Sequence, residues 1–461
     1  MIGENVNSTL PNIRMIDMEK DCYQEIIAEV SKKLSEKFIS TENNLPARSI
    51  LIDSDILEIV RDIGLQTTKN ILESTLDELV QKIKEKDGLA IHRNPSIDYN
   101  TIFGKLEIDS PYLWAEGICS KPLFDEMKIS SNGRSEAVNR ALSDFGIEDS
   151  FGRANKRFKE HYHYDIGSSA VDRSTKKTAT QAMEYMEKKL SSFDSEKEQE
   201  KPSIKTMLVE LDGCEIRTVQ QNVIEGSKER TPVYDNPKKE KIISWRDVRL
   251  GFVRPIDPDT GQKIFVGKMD SYPVVINQLH NAAVLIGMTQ TTHVVGVADG
   301  GNGLSEELKR QFSNMQFVLD KSHLKDHFYE TAEEMGICKD DRPKWVNPRI
   351  KAISDGEVKK TMQELQDEYD KKPNQRLKRL LGYIERFNDA LNYNEFKEKG
   401  YPIGSGEIES AHKSIPQKRL KIPGASWHKD SIDPMLALRI LRADDWWDDF
   451  WNDRTEKLLA A

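Results

Sequence analysis

Cysteine is scarce in this chain. Cys22, Cys119, Cys214 and Cys338 stand far apart and form no C-x-x-C pair, which argues against a disulfide framework and against a thiolate zinc module. Long apolar runs are also missing: none approaches the ~20 residues that a membrane-spanning helix needs, so no membrane partner is expected. Nor is there an excess of positive charge, because 68 Lys and Arg face 77 Asp and Glu for a formal charge of −9. That balance excludes a chain coated in basic surface, but local patches can still steer an anionic partner. The amino terminus, Met1-Ile-Gly-Glu-Asn-Val-Asn7, has no basic start and no apolar leader core, and the expected location is the cytoplasm.

What is present is a long, highly charged globular chain. Its 461 residues, 37% hydrophobic and 31% charged, suffice for two to four domains with cores of their own. The charge is segregated. Between Arg153 and Lys189 nine Lys or Arg face five acids, whereas from Asp444 to Glu456 six acids face one Arg.

The spacing of apolar residues predicts a helix over 15–38, one or two more over 54–86, a strand over 101–108, and shorter helices near 135–145, 150–161 and 166–192. The last group reads as a helix-turn-helix or as a plain helical hairpin. A polar stretch around 192–203 reads as a linker. Beyond it, Thr206-Met-Leu-Val-Glu-Leu-Asp212 is an apolar strand ending in an acid. Segments 245–253 and 263–266 follow as a hairpin, 272–287 as a helix, and His293-Val-Val-Gly-Val-Ala-Asp299 as a buried strand. A helix from Ser305 leads to the strand Gln316-Phe-Val-Leu-Asp320, and 323–398 is helical. The expected organisation is therefore α+β and multidomain. A helical region spans 1–95, a strand plus helices for DNA binding 96–193, and a linker 194–204. An α/β core over 205–322 is interrupted by a helical insertion over 323–400 and completed by 401–461. Strands first, then strand–helix–strand alternation, is the order of an RNase H-like core.

Asp212 and Asp299 both end apolar strands and both precede glycine. Ligands of α/β sheets gather at the carboxyl ends of strands. If the two strands are neighbours, the carboxylates converge and need a cation between them. Mg²⁺ is suited to that task, taking oxygen ligands while keeping waters for substrate, and two such ions can hold the attacking and leaving oxygens of a phosphoryl displacement. The plain alternative for either Asp-Gly is an ordinary turn.

A third acid comes from Gly404-Ser-Gly-Glu-Ile-Glu-Ser-Ala-His-Lys413, a glycine-punctuated turn that opens a helix. Ser405 suits the N-cap. Glu407 then lies in the first turn, where an acid complements the helix dipole. Glu409 either pairs with Lys413 one turn on or serves as the metal acid, and it is preferred over Glu407 for that role. Asp320 and His323 form a further pair, read either as support beside the site or as structural packing. Lys413, Lys418, Arg419 and Lys421 follow the third acid as candidate phosphate contacts. Trp427 either stacks on an unpaired base or lies in the core. Trp446, Trp447 and Trp451 at helical spacing read as a packing stripe or a dimer contact.

Taken together, Val209-Glu-Leu-Asp-Gly213, Val297-Ala-Asp-Gly300, Phe317-Val-Leu-Asp-Lys-Ser-His323 and above all Gly404-Ser-Gly-Glu-Ile-Glu-Ser410 with Lys418-Arg-Leu-Lys421 and Trp427 resemble a DDE-type insertion-sequence transposase, ISKra-like, within the Mutator-like group. Ile102–Ile108 and Pro122–Glu126 resemble the front half of that family, and the likeness covers roughly residues 100–442. It implies an RNase H-like catalytic core with Asp212, Asp299 and Glu409 as triad. It also implies a helical insertion before the third acid, Mg²⁺ or Mn²⁺ as a pair of ions, and double-stranded DNA, both element ends and target, as partner. A homodimer or larger assembly, nucleoid-associated, is implied as well. Relatives often carry paired cysteines after the early strand; here Cys119 stands without a partner, so no zinc module is expected there. Two other readings stay open on sequence: a metal-dependent nuclease that never joins ends, and a non-catalytic DNA-binding protein derived from such an enzyme.

Overall fold

The computed structural model describes residues 28, 30–33, 35–36, 45–130, 132–191, 204–230, 235–257, 261–301 and 303–460. Most of the helix expected over 15–38 and all but Ile204 of the expected linker lie outside these residues. The chain divides into two compact units, 1–142 with 155–167, and 143–154 with 168–461. The stretch 96–193 expected as one region is thus shared between both. No described helix is long and apolar enough to cross a membrane.

In the first unit one helix, α1 (Leu45–Asp87), runs for 43 residues where one or two were expected. Strands β1 (Ala90–Arg93), β4 (Tyr112–Ala115) and β5 (Ile118–Ser120) form a three-stranded antiparallel sheet in the order β1-β4-β5. Strands β2 (Ser96–Thr101) and β3 (Gly104–Asp109) form a separate hairpin. The strand expected over 101–108 is therefore broken. Thr101 Oγ1 donates to Gly104 O at 3.0 Å and accepts from Phe103 N at 3.2 Å, folding the chain back at Ile102-Phe103. Leu76 and Val80 of α1 share a small core with Leu106, Ile108, Leu113 and Leu123, the last from the short helix α2 (Pro122–Asp125). Helices α3 (Glu136–Glu148) and α4 (Phe151–Tyr162) each contribute to both units.

The second unit is built on a mixed five-stranded sheet. It comprises β6 (Thr206–Arg230), β7 (Asp235–Pro255), β8 (Ile264–Lys268), β9 (His293–Ala298) and β10 (Met315–Leu319), in the order β10-β9-β6-β7-β8. Pairs β6–β7 and β7–β8 are antiparallel; β6–β9 and β9–β10 are parallel. Central parallel strands are covered on both faces and so read as continuous apolar runs. Met207, Leu208, Val209 and Leu211 of β6 and Val294, Val295, Val297 and Ala298 of β9 are accordingly buried. Strand β6 does not end at Asp212. It continues to Arg230 against β7, so the pair leaves the sheet as a long two-stranded ribbon, with one further bridge from Thr218 to Trp427.

Helix α5 (Ser168–Ser191) packs on a carboxy-terminal helix, and α6 (Tyr272–Leu285) lies on β7 and β8. Helix α7 (Leu304–Gln311) links β9 to β10. Five helices then fill 321–398: α8 (Lys321–Glu334), α9 (Arg342–Ser354), α10 (Val358–Lys371), α11 (Gln375–Arg386) and α12 (Tyr393–Glu398). Helix α13 (Gly406–His412) packs on β6 and β7 and runs into a π-turn over Lys413–Gln417 that contains Pro416. Helices α14 (Ile432–Ala443), the partner of α5, and α15 (Trp447–Ala460) close the chain. Trp446, Trp447 and Trp451 are buried in this core, as a packing stripe would be.

Candidate active site

The register of the central strands sets the geometry. Glu210 of β6 lies opposite Val297 of β9. The two strands are parallel, so two residues further along each stand Asp212 and Asp299. Neighbouring strands lie about 4.8 Å apart, which puts the two acids side by side at one end of the sheet. Asp212 still pairs with Leu250 of β7 on its other flank, while Asp299 has just left β9. Each is steadied by a following glycine: Gly213 N donates to Asp212 Oδ1 at 2.7 Å and Gly301 N to Asp299 Oδ1 at 3.2 Å.

Two tyrosines that the sequence reading passed over lie beside these acids. Burial first, then the charges of Asp299 and Asp212, raises the pKa of the Tyr272 hydroxyl against the opposing effect of Arg249. The Arg249 guanidinium sits 4.3 Å from the Tyr272 ring centre. Tyr383 of α11, on the Asp299 side, is likewise raised by burial and by Asp299. Its ring fills the space where a side chain on residue 300 would go. Gly300 is therefore required by a close approach and not by a left-handed backbone.

Helix α13 is fastened to the sheet by two buried carboxylates. Asp320, fully buried at the end of β10, accepts from His323 N at 2.8 Å, from Ser405 Oγ at 2.6 Å and from Ser405 N. Glu210, 1% exposed, accepts from Ile408 N at 2.9 Å. Burial pushes the Glu210 carboxyl up to about 8, with Glu407 adding to the shift while Ile408 N, Arg254 and Lys263 oppose it. These contacts satisfy amides that the first turn of a helix leaves without intrahelical partners.

The two glutamates of α13 fare differently. Glu407 is engaged by Arg254, at 2.8 Å from Nη2 and 3.1 Å from Nε, and by Lys263. Burial works to raise its pKa, but these hydrogen bonds outweigh it and hold the carboxyl below its usual range. Glu409 is exposed, with Ser405 Oγ 3.5 Å from its Oε1. One turn beyond Glu409, His412 is 2% exposed and has Nε2 3.8 Å from Asp212 Oδ2. Burial lowers its pKa despite the nearby Asp212 carboxylate, so the ring is uncharged near neutral pH.

The candidate phosphate contacts separate into two groups. Lys418 pairs with Glu148 at 2.5 Å. Arg419 is buried, donates to Gly146 O at 2.8 Å and is sandwiched by Phe151 and Trp427 at 4.6 and 4.7 Å. Trp427 is buried too, with its indole N–H on Leu420 O at 3.1 Å and its backbone joined to β6. Lys413 and Lys421 are exposed. Arg439 of α14 secures the π-turn, donating to Ile415 O at 3.0 Å, to Ile147 O at 2.9 Å, to Ser414 O and to Glu148.

The fold thus brings Asp212 and Asp299 together and docks the helix of Glu409 on the strand of Asp212. Asp320 caps α8 through the His323 amide and anchors α13 through Ser405. Among the described residues no three His, Cys, Asp or Glu side chains already stand within metal-holding distance. The donors are nonetheless of the right kind for a hard divalent cation, since Asp212, Asp299 and Glu409 all offer carboxylate oxygens. Glu210, Tyr272, Arg249 and His412 carried no signal in the sequence beyond residue type. A scan against protein-family models finds no match to this chain, and a search of curated proteins finds none either.

Proposed function

We propose that this chain is a DDE-type transposase of the ISKra-like kind, cutting and joining the DNA ends of an insertion sequence on an RNase H-like core. One observation carries the reading: Asp212 and Asp299 stand level at the carboxyl ends of adjacent parallel strands, and the helix bearing Glu409 is docked on the first of them. The sheet supports it, since antiparallel strands come first and strand–helix–strand alternation follows, the order expected of such a core.

Asp212, Asp299 and Glu409 would hold Mg²⁺ or Mn²⁺, as a pair of ions. When bound, the ions supply Lewis-acid neutralisation of the charge that develops on the phosphate. The chain's own part is positioning. Gly213 N and Gly301 N orient the two aspartates, and Glu210 with Asp320 fixes the helix of the third acid. Tyr272 and Tyr383 wall the end of the sheet. Lys413 and Lys421 meet the backbone of double-stranded DNA, element end or target. Water attacks a phosphodiester at the element end and displaces one strand, freeing a 3′-hydroxyl; that hydroxyl then attacks a target phosphodiester in line, and the 3′-oxygen of the target strand leaves. Because two ends must be held together, a homodimer or larger assembly is required, acting at the nucleoid of the cytoplasm.

The test is cleavage and joining of DNA carrying the flanking ends of the gene itself, with Mg²⁺ or Mn²⁺. Wild type nicks and joins these ends. Asp212→Ala, Asp299→Ala and Glu409→Ala abolish both, while Glu407→Ala retains them. Specific binding without any cleavage by wild type overturns the assignment in favour of a non-catalytic DNA-binding protein. Cleavage without joining moves it to a nuclease.

A further inference from the structure

His412 lies beside Asp212 and has no part in the proposed reaction. Its ring is shut away from water, and no hydrogen bond of normal geometry reaches Nδ1 or Nε2, although the backbone of Asp212 lies close enough to act on the ring. Buried polar atoms nearly always find a partner, so an imidazole left without a full hydrogen bond beside a carboxylate points to a contact completed in another state of the site. The geometry names that contact. Asp212 Oδ1 is held by Gly213 N at 2.7 Å, and Oδ2 is the oxygen that His412 Nε2 faces at 3.8 Å. That distance is too long for a hydrogen bond and short enough to close by a small rotation of either side chain. His412 also follows Glu409 by three residues on α13, so one turn of helix presents both toward the strand of Asp212.

We infer that His412 is a positioning residue, which donates from Nε2 to Asp212 Oδ2 when Asp212 takes up a divalent cation and so fixes the carboxylate for it. The inference rests on the reading of Asp212 as a metal acid. Carboxylates that hold metals are themselves hydrogen-bonded, and loss of such a partner costs about 10–100-fold in metal affinity or activity. A buried imidazole is suited to this, because packing holds its ring in place and Nε2 already faces Oδ2.

The experiment is titration of the full chain with Mn²⁺ alone, reading free Mn²⁺ by electron paramagnetic resonance, with a thermal melt of each variant. The variants are Asp212→Asn, His412→Leu and His412→Gln. Leucine keeps the bulk of the ring without a donor; glutamine places an amide N–H near the position of Nε2. Asp212→Asn weakens binding, His412→Leu weakens it by about ten-fold, and His412→Gln stays within about threefold of wild type. Unchanged affinity in His412→Leu, or equal losses in the leucine and glutamine variants, overturns the inference while the Asp212 result stands. Unchanged affinity in Asp212→Asn removes the metal reading itself. If the leucine variant does not fold, His412→Asn replaces it: its amide falls short of Asp212, and an affinity equal to that of His412→Gln rejects the role.

Discussion

Glu210 accepts the backbone N–H of Ile408 at 2.9 Å, and this bond between a buried strand carboxyl and the first turn of α13 ties the third-acid helix to the strand that carries Asp212. A shift of either element moves the other. The arrangement of the acids therefore depends on residues that would never touch substrate.

The bond has a pH signature. Burial pushes Glu210 up to about 8 from an ordinary value of 4.5. The folded state holds the proton more tightly than the unfolded one. The stabilisation is therefore complete below about pH 4.5, declines as pH rises, and is gone above about pH 8. Glu210→Gln cannot titrate and keeps an oxygen for Ile408 N. Its unfolding free energy relative to wild type, from urea denaturation, should climb between pH 5 and 8 and level off above, reaching a difference on the order of a few kcal/mol. A difference that stays flat across that range would refute the assignment.

Acid acts in the opposite sense on Glu148. Burial raises its pKa, but hydrogen bonds from Lys418 and Arg439 outweigh this and leave it below 4.5. Its contribution is present above the unfolded value and is lost as pH falls through the lower folded one. Arg439→Leu should destabilise the protein by about 1–3 kcal/mol for each buried carbonyl it leaves without a donor, those of Ile147, Ser414 and Ile415, while Glu148 keeps Lys418. It should also flatten the acid limb of stability. Urea denaturation at pH 7 and pH 4 measures both.

Gly300→Ala drives a methyl group into Tyr383 and to 2.7 Å from Phe387 Cε2. Overpacking of this kind costs about 1–3 kcal/mol. Since the displaced loop begins at Asp299, end nicking should fall more than the stability loss explains, with Asp299 itself intact. Single-turnover cleavage at a temperature well below the melting point separates the two effects.

Lys413→Ala and Lys421→Ala should weaken DNA binding alike for end and unrelated sequences. Each should reduce the slope of log K against log salt by about 0.9. Arg419→Ala is expected to act through stability instead, since its guanidinium is enclosed by Phe151 and Trp427. Fluorescence anisotropy over a salt series, set beside melting curves, tells the two kinds of residue apart.

Most helices and core strands were legible because their apolar spacing is local information: 166–192, 272–287 and 293–299 each became the element that their pattern indicated, to within a few residues. Two strand limits were not. The Asp212-Gly213 pair looks like a turn, but Gly213 continues the ladder opposite Arg249. Ile102-Phe103 looks like strand, but the Thr101 hydroxyl reverses the chain there. What the sequence hid was burial. Nothing local distinguishes Arg419, buried between Phe151 and Trp427, from the exposed Lys421, or marks Trp427 as an interior residue pinned by its own backbone to β6. The roles of Glu210 and Asp320 depend on a helix that arrives about 200 and 85 residues later, and such partners can be found only once the chain is folded.

The amino end of α13 has a consequence for how this molecule can meet a polyanion. A free helix amino terminus is a ready cradle for phosphate. Here the cradle is filled from within, because Asp320 takes the Ser405 amide and Glu210 the Ile408 amide. A phosphate approaching this helix would find two of its amides taken and two carboxyl groups in the way. Attraction must come instead from side-chain cations further along, which solvent ions screen and single substitutions remove. The chain has used its fixed dipole to hold itself together and left recognition to charges that can be tuned.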